Sequence, residues 1–127
     1  MSFPIRAAAL TIALAWVLPI EALQTAAKGR KTVLDGVYTA AQAERGKAAY
    51  AANCSSCHRA DLTGFSGPPL KDDLFMDRWR EFNVEVLFNL IKNTMPANAP
   101  GTMAEDKYLD VLAYILQVNS LPAGSKN

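Results

Sequence analysis

The stretch NCSSCHRADLTG, residues 53–64, holds both cysteines and the only histidine of the chain. Cys54, Cys57 and His58 lie within five residues, so the chemistry of the protein concentrates there. A structural zinc site needs four ligands, and adjacent Cys57 and His58 make tetrahedral ligation by all three awkward. A thioredoxin-like redox pair requires a βαβ context, and the flanking sequence shows none. A disulfide is chemically feasible in an oxidising compartment and stays open, although so short a loop gains little and leaves His58 unexplained. Haem attachment accounts for all five positions. Two thiols at this spacing add across the vinyl groups at one porphyrin edge, and the histidine directly after them turns beneath the ring toward iron.

Covalent haem attachment of this kind calls for an exported chain, and the N-terminus fits. Arg6 precedes an apolar run from Ala7 to Ile20, interrupted only by Thr11 and Pro19, and small residues Thr25, Ala26 and Ala27 follow. A positive start, a short apolar run and a small-residue end describe a secretory signal over residues 1–27. The run is shorter than the roughly 20 residues that span a bilayer. An uncleaved N-terminal anchor is the alternative. The expected location is the periplasm, without stable membrane insertion once the signal is removed. Formal net charge is +1, and loss of Arg6 and Glu21 with the signal leaves it there. With no basic stripe and no Gly-rich phosphate loop, nucleic acid is not an expected partner.

The mature chain reads as a polar linker over residues 28–37, a domain over 38–122 and a tail over 123–127. Thr39 and Gln42 have capping-box spacing ahead of an Ala-rich, helix-favouring run. Gly46, Tyr50 and Cys54 follow at spacings of four on one helical face. A second helix fits residues 83–93, where Val84, Leu87, Phe88 and Ile91 recur at i, i+3, i+4, i+7, and Val86 and Leu90 suggest burial all round. Thr102 and Glu105 form another capping-box pair before a helix that ends near Val118. Its apolar stripe is Tyr108, Leu109, Leu112, Ala113 and Leu116, widened by Val111 and Ile115. Residues 59–82 read as a long loop with little regular structure, which in so small a domain suggests that it wraps a large apolar ligand. The expected fold is all-α, with three main helices and long loops around one covalent haem.

These residues resemble the class I c-type cytochromes, monohaem electron carriers, over residues 37–122. Gly46, Tyr50, Cys54, Cys57 and His58 match that family's N-terminal helix. Gly67 to Leu70 resembles its loop on the histidine side, and Thr94-Met95-Pro96 with Ala113 to Leu116 resembles its methionine loop and C-terminal helix. The likeness extends to cytochrome subunits of periplasmic dehydrogenases. Arg59 departs from the pattern, since many relatives have glycine after the histidine.

With one histidine in the chain, the sixth iron position falls to methionine, to a rarer group such as lysine, or to nothing. Met76 and Met103 read as packing residues. Met95 precedes Pro96, which biases it toward extended backbone, in a proline-bracketed loop suited to crossing a haem face. The resemblance points to the same residue, although methionine also serves commonly as core filler. His58 and Met95 are thus the candidate iron ligands, and Cys54 and Cys57 the attachment points. Around them, the Pro68 carbonyl could accept the Nδ1 proton of His58, a role the resemblance supports. Asn98 could donate to the thioether or serve only as a turn residue. Trp79, beside Arg78 and Arg80, could pack on the haem edge and reach a propionate or simply pack in the core.

A haem iron with both axial positions filled has no place for substrate, so electron transfer rather than catalysis is expected. The resemblance implies a periplasmic carrier of single electrons from a dehydrogenase or respiratory complex to an oxidase or another cytochrome. A fixed subunit of a dehydrogenase complex, or a haem enzyme or gas sensor with a displaceable sixth ligand, are the alternatives.

Overall fold

Helix formation starts where the capping chemistry places it. In the computed structural model, which describes residues 30–125, the Thr39 hydroxyl accepts from the Gln42 amide while the Gln42 side chain accepts from the Thr39 amide. Two otherwise unpaired backbone donors are thereby satisfied, and α1 runs Ala40–Asn53. After it come α2 (Ser55–His58), α3 (Asp72–Trp79), α4 (Val84–Thr94) and α5 (Glu105–Val118). The described residues contain no strand, only an isolated bridge between Thr32 and Asn83. No helix among them is long and apolar enough to cross a membrane. The expected signal, residues 1–27, lies outside the described segment.

The core forms where α1 crosses α5. Ala43, Gly46 and Tyr50 are the buried residues of α1, spaced three and four apart along one stripe. A Cβ on Gly46 would lie 1.8 Å from the backbone oxygen of Asp110 and 2.5 Å from its carbonyl carbon. Glycine costs about 1 kcal/mol in a helix interior, and here its missing side chain lets two backbones touch. One turn on, Tyr50 packs against Tyr114 with ring centroids 5.4 Å apart. At the same crossing the buried Asp110 carboxylate accepts two hydrogen bonds from Arg45, at 2.9 Å from Nε and 2.7 Å from an Nη. This bidentate pairing raises the Arg45 pKa above its ordinary value. On α5 it is Asp110 that turns inward, whereas Leu109, expected on the apolar stripe, is 40 % exposed.

Other local readings are also revised. The region 59–82 is not all loop, because α3 forms within it on the buried pair Phe75 and Trp79, four residues apart. Its start is tied to α5: the Asn119 side chain accepts from the Asp72 amide at 2.9 Å and donates to the carbonyls of Leu70 and Ile115. The expected Thr102 cap does not form. The Thr102 hydroxyl donates to the Ala99 carbonyl at 2.8 Å, and α5 begins after Ala104 without a side-chain cap. Met103 therefore precedes the helix instead of lying in its first turn. On α4, Leu87 is buried and Val84, Phe88 and Ile91 are half-buried, as the periodicity predicts; of the two residues expected to extend that burial, Val86 is exposed, and Leu90 opens onto a cavity between the helices. The polar segment before α1 packs into the fold. Val33 is buried, the Val84 amide donates to the Lys31 carbonyl at 2.8 Å, and Tyr38 reaches the Leu121 carbonyl at 2.8 Å.

Arg59, directly after the histidine, has φ 64° and ψ 159°. That conformation belongs to glycine, and a side chain there costs on the order of 1–3 kcal/mol. The Tyr50 hydroxyl, donating to the Arg59 carbonyl at 2.8 Å, and the guanidinium over the Phe65 ring hold it in place.

Two stability predictions follow from this backbone geometry. Gly46→Ala should lower the unfolding free energy by about 2–3 kcal/mol, since a Cβ placed 1.8 Å from the Asp110 oxygen can be relieved only by moving two backbones apart. Arg59→Gly should raise it by about 1 kcal/mol by relieving the positive φ. Chemical denaturation of the two variants against the parent checks both signs.

Candidate functional site

The end of α1 delivers the histidine motif into the protein. The Cys54 amide donates to the Tyr50 carbonyl at 2.8 Å, and the Cys54 carbonyl accepts from Cys57 and His58 at 3.2 and 3.0 Å, which closes the tight turn of α2. His58 is 5 % exposed. Its Nδ1 lies 2.7 Å from the Pro68 carbonyl oxygen. A carbonyl can only accept, so Nδ1 carries the proton and Nε2 keeps the lone pair that can bind a metal. Gly67 lies against the ring. A Cβ there would come 2.6 Å from His58 Cε1, so a larger residue would displace the imidazole. The surrounding loop is tied back to the motif: Phe65 and Gly67 donate to the Cys57 carbonyl, and Gly64 donates to that of His58.

His58 lines a cavity of about 780 Å³, within the range typical of ligand cavities. Its walls are mostly apolar and come from every helix: Phe75 and Trp79 on α3, Leu87 and Ile91 on α4, Val111 and Ile115 on α5. The lining suits a large flat apolar group with a few polar attachments. Cys54 and Cys57 stand at the same wall in unlike settings. Burial pushes the Cys54 thiol up to about 11, whereas hydroxyls of Ser66 and Ser56 lower that of the exposed Cys57.

Every residue singled out in the sequence for this site lines the cavity: Cys54, Cys57, His58, Pro68, Trp79, Met95 and Asn98. Of the methionines beyond residue 30, Met95 lines it and Met76 and Met103 do not. Met95 has the extended backbone expected before proline, at φ −123° and ψ 152°, and terminates α4 with its amide bonded to the Ile91 carbonyl. Arg78 lines the cavity with its guanidinium 5.1 Å from the Trp79 ring centroid, whereas Arg80 is not part of the wall. Two contributors escaped sequence reasoning. The tight fit of Gly67 beneath His58 needs the loop's return path, and the bond from the Tyr108 hydroxyl to the Met95 carbonyl, 2.7 Å, needs the placement of α5. The described residues hold no group of three or more His, Cys, Asp or Glu arranged to bind a metal ion by themselves.

The residues present fit a haem c: a thiol pair, a histidine with Nε2 available, a thioether and apolar walls converge on one cavity. Comparison with known proteins agrees. No individual curated protein matches the chain. Among solved structures it is similar to a chain in the crystal structure of the sulfane dehydrogenase SoxCD from Paracoccus pantotrophus, with TM-score 0.52 and 22 % identity. The match covers 87 % of this chain and 60 % of that one, and at this identity it establishes a shared fold. A family described as cytochrome c oxidase, cbb3-type, subunit III matches residues 41–115, which include all but the first residue of α1, the histidine motif, Met95 and most of α5. The protein is accordingly an electron-transfer cytochrome of the class I c type, and its chain belongs to the cbb3-type subunit III family of cytochrome c domains.

Proposed function

We propose that the protein is a periplasmic carrier of single electrons, holding one haem c through Cys54 and Cys57 with His58 and Met95 as the two axial ligands. The observation that carries this reading is the pairing of His58 and Met95 on one cavity, with neither Met76 nor Met103 beside them. A haem bound there would supply one-electron exchange between ferrous and ferric iron, at a potential raised by the thioether. The chain's own residues bind, orient and exclude water. Pro68 fixes the tautomer and direction of the imidazole, and Gly67 leaves room for its ring. The apolar walls lower the local dielectric, which favours the less charged ferrous state. Arg78 and Trp79 stand where they could meet a propionate, and Asn98, on the loop beyond Met95, where it could donate toward the thioether. With His58 and Met95 both holding its iron, a bound haem would keep no free position for a substrate.

Donor and acceptor are proposed by class: a dehydrogenase or respiratory complex on one side, an oxidase or another cytochrome on the other. The fold shared with a chain of SoxCD, a dehydrogenase, and the oxidase-subunit description of the family favour a second reading. In it the same domain serves as a fixed subunit of an oxidoreductase complex. Stable co-purification with a partner enzyme from native membranes or periplasm would select that reading, and a free monomeric cytochrome would select the carrier.

Haem should stay with the polypeptide through denaturation and acid–organic extraction, and replacing both cysteines by alanine should release it. Free extraction from the parent protein would refute thioether attachment. Met95→Ala should lower the reduction potential, abolish the near-infrared methionine–iron band and open the ferrous protein to carbon monoxide, whereas Met76→Leu and Met103→Leu should do none of these. A parent protein that lacks the band at neutral pH and already binds carbon monoxide would overturn the ligand assignment. The mature N-terminus should lie near Lys28, and an intact N-terminus on a membrane-bound protein would instead establish an anchor.

A further inference from the structure

The two sides of the cavity are held very differently. On the histidine side the loop carries a dense set of backbone hydrogen bonds to the motif itself. On the methionine side, in the segment from Met95 to Ala104, Met95 to Asn98 face the cavity, and beyond them Pro100, Gly101, Thr102 and Ala104 are exposed. Its internal bonds are few: Ala99 amide to Pro96 carbonyl at 2.8 Å, Thr102 hydroxyl to Ala99 carbonyl at 2.8 Å, and Gly101 amide to Met95 carbonyl at 3.4 Å. Away from the cavity wall little apolar burial restrains this loop, so the groups that hold its two ends matter for its position.

One group grips both ends. Tyr108, in the first turns of α5, is fully buried. Its hydroxyl donates to the Met95 carbonyl at 2.7 Å and accepts from the Met103 amide at 3.4 Å. A single phenol oxygen thus clasps the first and ninth residues of the segment 95–103. The phenol is fully buried and both bonds are partly so, which limits competition from water; losing the hydroxyl would take its partner from the Met103 amide and leave the Met95 carbonyl only the longer bond from Gly101. The clasp stands on the backbone of the very residue whose side chain faces the cavity.

We infer that Tyr108 is a positioning residue for Met95: its hydroxyl locks the methionine loop against α5 and so sets how readily the thioether leaves the iron. The inference rests on Met95 being the axial ligand proposed above. It concerns the backbone of the loop, not a bond to the sulfur, and no residue of the histidine side takes part. Tyr114, whose ring packs on Tyr50 at the helix crossing, is the natural control.

The test uses the haem-loaded protein. Tyr108→Phe keeps the ring and removes the clasp. It should speed carbon monoxide binding to the ferrous protein about tenfold and accelerate hydrogen exchange at the Met103 amide by a similar factor. Amides of α1 should exchange as in the parent, and Tyr114→Phe should leave carbon monoxide binding unchanged. A fluorinated tyrosine at position 108, a stronger donor, should slow carbon monoxide binding, and it provides the test if the phenylalanine variant does not fold. Parent-like carbon monoxide binding in Tyr108→Phe, alongside an iron opened by Met95→Ala, would overturn the positioning role while leaving the ligand assignment intact. Faster exchange throughout α1 would overturn it too, by showing a general loosening. If Met95→Ala itself leaves carbon monoxide binding unchanged, the ligand assignment fails and this inference falls with it.

Discussion

Gly46 against the Asp110 carbonyl is the contact on which the rest of the molecule depends. Only a residue without a side chain lets α1 and α5 approach until their backbones touch. Each helix then carries one half of the site from that crossing. Two turns beyond Gly46, α1 ends in the cysteines and histidine, while α5 contributes Val111 and Ile115 to the cavity wall and the hydroxyl of Tyr108 to the methionine loop. The separation between the histidine and methionine sides is therefore set by a helix crossing that touches neither His58 nor Met95. Arg45 and Asp110 secure it from the solvent side, and the Tyr50–Tyr114 contact secures it from within.

From this frame the two axial candidates acquire different freedom. His58 is oriented by the Pro68 carbonyl, confined by Gly67 and enclosed by a loop bonded back to its own helical turn. Moving it requires disrupting several backbone hydrogen bonds together. Met95 hangs at the C-terminus of α4, where the helix has run out of internal bonding and an exposed segment begins. A rigidly held histidine on one side and a clasped loop on the other would suit the proposed redox centre, whose residues must hold their places as the iron changes charge. On the rigid side Arg59 carries backbone strain, its carbonyl held by Tyr50 in a conformation that a side chain disfavours.

Much of this was readable in advance where the governing physics is short-range. The Thr39–Gln42 box marks the start of α1 because both partners lie within one turn. The Val84, Leu87, Phe88 and Ile91 face of α4 emerges from simple periodicity. The same reasoning failed where a distant partner outweighs a local preference. Helix α3 escaped notice because Asp72-Asp73-Leu74-Phe75-Met76-Asp77-Arg78-Trp79 offers only one strong apolar pair, and its first turn is secured by Asn119 from another element. Periodicity puts Leu109 on the inner stripe, but it is Asp110 that turns inward, because Arg45 on α1 supplies a bidentate partner that makes the buried carboxylate acceptable. Thr102 has the right spacing for a cap, yet its hydroxyl turns back to Ala99 within the loop.

The amino-acid order on its own specifies the reactive groups: two thiols and an imidazole at a spacing that follows the chain, and a methionine held extended by the proline after it. Those features depend on neighbours a few residues apart, and they would read the same in any fold. Which methionine shares a cavity with His58, and which buried hydroxyl clasps its loop, depends on where α4 and α5 come to rest against α1. That placement is the outcome of packing between residues dozens of positions apart, so it was settled only when the helices crossed.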